Sequence, residues 1–203
     1  LGQRDEYKGE GLIPQTENER QIFFEKINKT IIPIRRLQRG ATRFTEAALN
    51  YEGNFRDDLS KLQQEQYDLM RETKVKQQRW SDGLVYFVSL HRDNVRCPMN
   101  GIFHIFGVVG SLCFLGLCRK QPIRGAVDIS WGVELHPGEL YGAAVANAYK
   151  LESEVAQYPR IIIDERVINY LEVCSQNPEA DIYNGFNRSL AERCLEMIAI
   201  DFD

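Results

Sequence analysis

The feature that most constrains the fold is a nearly unbroken apolar run of 18 residues, from Gly101 to Cys118. A run of this length reaches the lower limit for a helix that crosses a membrane. It nevertheless contains His104 and three internal glycines, and no second segment of the same kind accompanies it. We therefore predict a helix buried in a protein core, in a protein without a membrane span.

Composition and charge exclude several classes of protein. The chain has 203 residues, of which 43% are hydrophobic and 27% are charged. Such a chain can bury a full core, so extensive disorder is excluded. The net charge of −4 argues against binding to the nucleic-acid backbone, which requires a basic surface. A small anionic ligand remains compatible, because backbone amides, a metal ion and local cations can hold it.

The cysteines and the first residues indicate a cytoplasmic protein. There are five cysteines without a CxxC pair, and we expect free thiols in a reducing compartment, with Cys113 and Cys118 buried in the apolar run. The chain is polar from its third residue and shows no signal peptide. Because it opens without methionine and closes on an abrupt apolar segment, we expect that pieces are missing at both ends.

The first third of the chain predicts helices without a chemical motif. Apolar residues recur near helical spacing from residue 18 to 32, and Pro33 is expected to end or kink that helix. Two further amphipathic stretches cover about residues 43–49 and 55–70. We interpret all three as elements for packing or subunit contact.

The rest of the chain alternates between strand-like and helical segments. Beyond the apolar helix, strands are predicted at residues 84–90, 123–131 and 160–164, a turn or hairpin at 132–138, and helices at 140–155, 167–174 and 189–197. This order predicts an α+β or α/β fold with helices packed on a sheet.

Residues 123 to 163 carry a family resemblance. The succession runs Ile123-Arg-Gly-Ala-Val127, Gly132, Glu139-Leu-Tyr-Gly-Ala-Ala-Val145, Ala148-Tyr-Lys-Leu-Glu152 and Pro159-Arg-Ile-Ile-Ile163. It resembles the class III nucleotidyl cyclase domain, and looks closest to the bacterial pyrimidine cyclases of antiphage (Pycsar) signalling. Two shorter matches join it, the hairpin motif Trp80-Ser-Asp-Gly83 and the opening-strand motif ending at Leu1-Gly2.

The resemblance implies a single cyclase-like domain over residues 1–203, with a variable helical segment at about 18–75. The implied fold is α+β with a ferredoxin-like core, a sheet with helices packed on it. The implied activity converts UTP or CTP to the 3′,5′-cyclic monophosphate and pyrophosphate, with Mn²⁺ or Mg²⁺, as an antiphage second messenger for a separate effector. The implied assembly is a homodimer that forms its sites between subunits. Neither nucleic acid nor membrane is an expected partner.

Asp82 and the first residues are the candidates for metal and phosphate binding. Two carboxylates that hold two divalent ions activate the ribose 3′ hydroxyl and neutralise the triphosphate. Asp82 matches one of them, although Ser-Asp-Gly is also ordinary turn chemistry, and the second is expected upstream of Leu1. Gly2, Gln3 and Arg4 fall where the phosphate-binding loop begins, where a frayed terminus is the alternative.

Four further residues fall at the family's base-reading and transition-state positions. Gln78 and Glu139 occupy the two base-reading positions, although both residues could equally flank strands at the surface. Gln78 replaces the lysine of the purine cyclases and could serve a pyrimidine edge. Lys150 replaces a transition-state arginine, and Ala146 replaces an asparagine. The loss of that asparagine keeps a second hypothesis open, that of an inactive cyclase-like module for nucleotide binding or dimerisation.

Overall fold

The computed structural model describes residues 14–49, 54–80, 83–91, 96–178 and 181–199. Four of the predicted site residues, Gly2, Gln3, Arg4 and Asp82, lie outside these ranges. The chain divides into two compact units, residues 1–40 and residues 41–203. The first unit contains most of a long helix, and the second contains all the strands that the structure describes.

The long helix α1 spans Glu17–Leu49 and continues past the expected break. Its start is stabilised by Glu19, whose carboxylate accepts hydrogen bonds from the backbone N–H groups of Gln15 and Thr16 at 2.7 and 3.2 Å. These bonds lower the pKa of Glu19. Of the two expected effects of Pro33, an end of the helix is excluded, and a kink stays a prediction. A proline removes one backbone N–H donor, and arginine, leucine and glutamine on its C-terminal side favour the helix.

The second unit alternates helices with short strands. In chain order they are a 3₁₀ helix Asn54–Asp58, α2 Lys61–Met70, β1 Lys76–Trp80, β2 Gly83–Phe87, α3 Pro98–Cys118, β3 Gly125–Val127, β4 Val133–His136, β5 Glu139–Tyr141, α4 Ala143–Glu154, β6 Ile161–Ile163, α5 Glu165–Ser175 and α6 Ile182–Glu196. The fold is therefore mixed α+β, as predicted. Helix α6 begins seven residues before its predicted start, and β1 was not predicted.

The described strands form three two-stranded pieces instead of one sheet. β1 and β2 pair antiparallel, β4 and β5 pair antiparallel, and β3 and β6 pair in parallel. Gly142 joins β5 to α4 with φ +130°, and a Cβ there would lie 2.8 Å from the Trp131 ring. Only glycine accepts both constraints, so the β4–β5 hairpin turns directly into α4.

The main core lies between α3, α5 and α6. Its buried side chains include Met99, Ile102, Phe106, Val167, Leu171, Leu190 and Cys194. Asn187 is buried among them and is fully bonded: its Oδ1 accepts from the Met99 N–H at 3.2 Å, and its Nδ2 donates to the Tyr183 carbonyl at 2.9 Å. The first turn of α3 therefore packs against α6 around a buried amide that is hydrogen-bonded to both helices.

Helix α3 buries one side only, which corrects the expectation of a fully buried helix. Val108 and Leu112 pack in a second small core with Ala41, whereas Phe114 is 67% exposed. All five cysteines are free as predicted, but Cys118 is exposed and Cys113 is half-buried. Within the described ranges, α3 alone is long and apolar enough to cross a membrane, with mean hydropathy 2.0 and 28% of its most apolar window buried. Core helices of other proteins meet the same criteria.

Candidate functional site

The candidate site is an open cleft of about 590 Å³ between β1 and the β4–β5 hairpin. We call it the hairpin cleft. It is lined by Gln77, Gln78, Arg79, Trp80, Pro137, Gly138, Glu139 and Tyr141. Two of the predicted site residues, Gln78 and Glu139, therefore lie on the same cleft although 61 residues separate them in the chain.

Alternation along β1 decides which side chains reach the hairpin. Successive side chains of a strand point to opposite faces. Gln78 faces β5, where its Oε1 accepts a hydrogen bond from the Leu140 N–H at 3.0 Å. Gln77 faces α1, where its Oε1 accepts from the Thr42 hydroxyl at 2.9 Å. Arg79 lies on the same face as Gln77 and donates to Thr42 at 2.9 Å.

Glu134 holds the hairpin turn against β1. Its Oε1 accepts from the Gly138 N–H at 2.6 Å, and its Oε2 forms an ion pair and hydrogen bond with the Lys76 ammonium. Gly138 has φ +83°, in the region that favours glycine. A single carboxylate therefore joins the turn that precedes Glu139 to the strand that carries Gln78.

The Gln78 carboxamide is buried, and only its oxygen is hydrogen-bonded within the described residues. Gln78 is 9% exposed, so the alternative that it flanks a strand at the surface is wrong. Its Oε1 is occupied by the Leu140 N–H. Its Nε2 has no hydrogen-bond partner among the described residues. The amide nitrogen can therefore donate a hydrogen bond in the cleft, whereas the amide oxygen already accepts one from Leu140.

Glu139 and two aromatic rings complete the lining. The Glu139 carboxylate accepts a hydrogen bond from the Tyr141 hydroxyl at 3.2 Å. That bond and the negative charge of Glu139 raise the pKa of Tyr141. Trp80 and Tyr141 are both exposed at the cleft. A donor, a carboxylate acceptor and aromatic rings suit a planar heterocycle that presents an acceptor beside an N–H group.

Helix α4 carries the remaining predicted residues at its surface. Lys150 and Ala146 are exposed, and neither lines the hairpin cleft. Tyr149 is 66% exposed. Arg124 forms an ion pair with the Glu152 carboxylate of α4.

A second polar cluster lies where the parallel strands β3 and β6 end. Asp128 and Asp164 follow these strands directly, and Arg166 lies 2.8 Å from a carboxylate oxygen of each. The Asp128 side chain is 1% exposed and accepts from Asn147 Nδ2 at 3.3 Å. Burial raises the pKa of Asp128, and hydrogen bonding to Arg166 lowers the pKa of Asp164.

This cluster was not predicted from the sequence. The available signal was an aspartate within each of two predicted strands, but its meaning depends on where those strands end and on their pairing side by side in parallel. The cluster links β3 and β6 to α4 and α5. Asn147 donates a hydrogen bond to Asp128, and Arg166 forms ion pairs with both carboxylates. We therefore interpret the cluster as structural.

Within the described ranges, no three histidine, cysteine, aspartate or glutamate side chains come together as metal ligands. Asp82 lies outside those ranges, so its metal role stays a prediction. The same holds for phosphate binding at residues 2–4.

Comparisons with known proteins do not identify a family for this chain. No family model matches the sequence. No curated protein is detectably similar to the chain, and no solved structure matches its fold.

Proposed function

We propose that this protein is a cytoplasmic pyrimidine nucleotide cyclase, with a class III cyclase-like fold and a ferredoxin-like core. The observation that supports it best is the hairpin cleft. Gln78 and Glu139, which fall at the base-reading positions of the resembled family, both line this cleft. The cleft also carries aromatic rings, as a site for a planar base does.

The remaining roles follow the resemblance. Asp82 stands two positions after Trp80, close in the chain to the cleft lining, and is proposed as a metal ligand. Mn²⁺ or Mg²⁺ bound there would activate the ribose 3′ hydroxyl and neutralise triphosphate charge. Backbone amides of Gly2, Gln3 and Arg4 are proposed to hold phosphates, and exposed Lys150 to supply a cation at the α-phosphate.

A homodimer is part of the proposal. The outer face of the β4–β5 hairpin exposes Trp131, Val133 and Leu135. Contiguous exposed apolar side chains are typical of interaction surfaces. A dimer contact here would lie beside the hairpin cleft, which the same hairpin lines. The proposed product leaves the enzyme and acts on a separate effector.

Product analysis tests the proposal. Full-length natural protein is incubated with Mn²⁺ and ATP, GTP, CTP or UTP separately, and the products are resolved by mass. Asp82→Ala is the test variant and Asp58→Ala, at an exposed position, is the matched control. We expect one cyclic pyrimidine product that Asp82→Ala abolishes and Asp58→Ala retains. A purine product, or a product unaffected by Asp82→Ala, contradicts the proposal.

The second candidate is a module that binds nucleotide or dimerises without turnover. It is favoured by Ala146, which is exposed on α4 where the resembled cyclases carry an asparagine. Under this alternative, folded and dimeric protein binds a pyrimidine triphosphate and forms no pyrophosphate. Direct measurement of pyrophosphate release separates the two candidates.

A further inference from the structure

The segment between Glu25 and Glu46 is strongly basic in a chain whose net charge is −4. It carries six lysine and arginine residues and no acidic residue. Within the first compact unit, four of these cations are exposed on α1, namely Lys29, Arg35, Arg36 and Arg39. None of these four side chains forms an ion pair with a described residue. This part of α1 therefore presents positive charge that no described residue of the chain neutralises.

An exposed apolar stripe lies beside these cations. Phe24, Ile27 and Ile31 recur at helical spacing, and residues seven positions apart lie within about 20° of each other around an α-helix. Phe24 is 60% exposed and Ile31 is 47% exposed, whereas Ile27 is half-buried. Arg35 and Arg39 follow Ile31 by four and eight residues, which places them about 40° and about 80° further around the helix. The cations therefore border the apolar stripe on one side.

We propose that this side of α1, from Phe24 to Arg39, binds the surface of a membrane that contains anionic lipids. Exposed apolar side chains beside a face rich in lysine and arginine are typical of helices that lie in the plane of a lipid interface. The cytoplasmic leaflet supplies the complementary negative charge. The contact is peripheral, because the cations exclude this stretch from the hydrocarbon core. It departs from the sequence resemblance, which implies no membrane partner, and it does not depend on the proposed cyclase activity.

The combination of charge and apolar exposure favours lipid over two other partners. Contacts to nucleic-acid phosphates use cations and polar donors, and would leave the exposed Phe24 and Ile31 without a role. A second copy of this chain would need acidic residues to meet the cations. Those at the start of α1 are engaged within the helix, since Glu17 forms an ion pair with Arg20 at 3.8 Å and Glu19 accepts from the backbone. An anionic lipid surface complements both the stripe and the cations.

Two variants separate the contribution of charge from that of the apolar stripe. The charge variant exchanges three of the cations for glutamine, a residue that favours helices, as Arg35→Gln, Arg36→Gln and Arg39→Gln together. Its matched control exchanges three exposed cations outside α1 in the same way, as Lys61→Gln, Lys74→Gln and Arg193→Gln. Both carry the same net charge. The stripe variant is Phe24→Ala, which removes an exposed ring and keeps a good helix former.

Flotation of the full-length protein with lipid vesicles tests the inference. The vesicles contain phosphatidylcholine alone or phosphatidylcholine mixed with phosphatidylserine. We expect binding to the phosphatidylserine vesicles only, and weaker binding as the salt concentration is raised. Each cation near the surface contributes about fivefold in affinity, so the charge variant should bind about 100-fold more weakly than its control. Phe24→Ala should lose about tenfold, and thermal unfolding checks that every variant is folded.

Several results would overturn the inference. Wild-type protein that binds neither kind of vesicle would do so, as would equal vesicle binding by the charge variant and its control. If Phe24→Ala binds vesicles as tightly as the wild type, the role of the apolar stripe is overturned. Binding of RNA or DNA that the charge variant loses, without vesicle binding, would assign the cations to nucleic acid instead. A change of oligomeric state in Phe24→Ala, without vesicle binding, would assign the stripe to a second copy. None of these results bears on nucleotide cyclisation, which product analysis tests separately.

Discussion

Replacing Glu134 by alanine should both loosen the hairpin cleft and destabilise the fold. The carboxylate accepts from the Gly138 N–H at 2.6 Å and pairs with Lys76. The two side chains of the ion pair are 22% and 31% exposed, so this is a partly buried interaction. Losing it releases the turn that precedes Glu139 from the strand that carries Gln78.

The magnitude follows from the two contacts. A hydrogen bond to a charged acceptor contributes about 1.5–3 kcal/mol to stability, and a solvent-accessible ion pair about 0.2–1 kcal/mol. Allowing for partial exposure, Glu134→Ala should lower the free energy of unfolding by about 2 kcal/mol. For a chain of this size that corresponds to a Tm lower by about 4–8 °C. Glu134→Gln should lose less, because its amide oxygen can still accept from the Gly138 N–H.

Urea unfolding followed by tryptophan fluorescence is a suitable assay. The chain has two tryptophans, and Trp80 lines the cleft while Trp131 contacts Gly142. Glu172→Ala is the control, because Glu172 is exposed on α5 and such substitutions stay within about 0.5 kcal/mol. If Glu134→Ala is as stable as the control, the two contacts do not hold the hairpin and the reasoning is refuted.

Three further predictions concern the core and two titrating groups. Leu171→Ala should lower the free energy of unfolding by about 3 kcal/mol, since Leu171 is fully buried; a loss under 1 kcal/mol in urea unfolding would contradict the core assignment. Asp164→Ala should cost about 1 kcal/mol at neutral pH, because Asp164 caps α5 and accepts from the Arg166 N–H at 2.9 Å. Since Arg166 lowers the pKa of Asp164, this contribution is present above the unfolded-state pKa and is lost as pH falls through the folded one, so the two unfolding curves should converge in acid. The pKa of Tyr141 should fall towards its ordinary value in Glu139→Gln, measured by ultraviolet titration of the phenol; an unchanged titration would show that Glu139 does not accept from Tyr141.

Local patterns predicted much of the second unit. The strand at Ile161–Ile163 and the helix over the apolar run are present, and the turn or hairpin predicted at 132–138 contains β4 and the Pro137-Gly138 turn. These elements have strong local signals: a β-branched run, a proline–glycine turn and continuous apolar sequence. Strand β5 at Glu139–Tyr141 was not predicted, because the helix was expected from residue 140.

Features that depend on tertiary contacts could not be predicted. β1 contains Lys76, two glutamines and Arg79, a composition that does not favour a strand, and it is stabilised by pairing with β2 and by Glu134. The burial of Gln78 depends on the same neighbours. Whether Pro33 interrupts a helix, and which side of α3 is covered, likewise depend on packing that local periodicity does not encode.

The most direct measurement is a competition among the four natural nucleotides. Full-length protein, Mn²⁺ and equal concentrations of ATP, GTP, CTP and UTP are combined, and the cyclic products are quantified together by mass. The proposed function predicts that cyclic UMP or cyclic CMP dominates and that pyrophosphate appears in equal amount. Dominant cyclic AMP or cyclic GMP, or no cyclic product from folded protein, would contradict it.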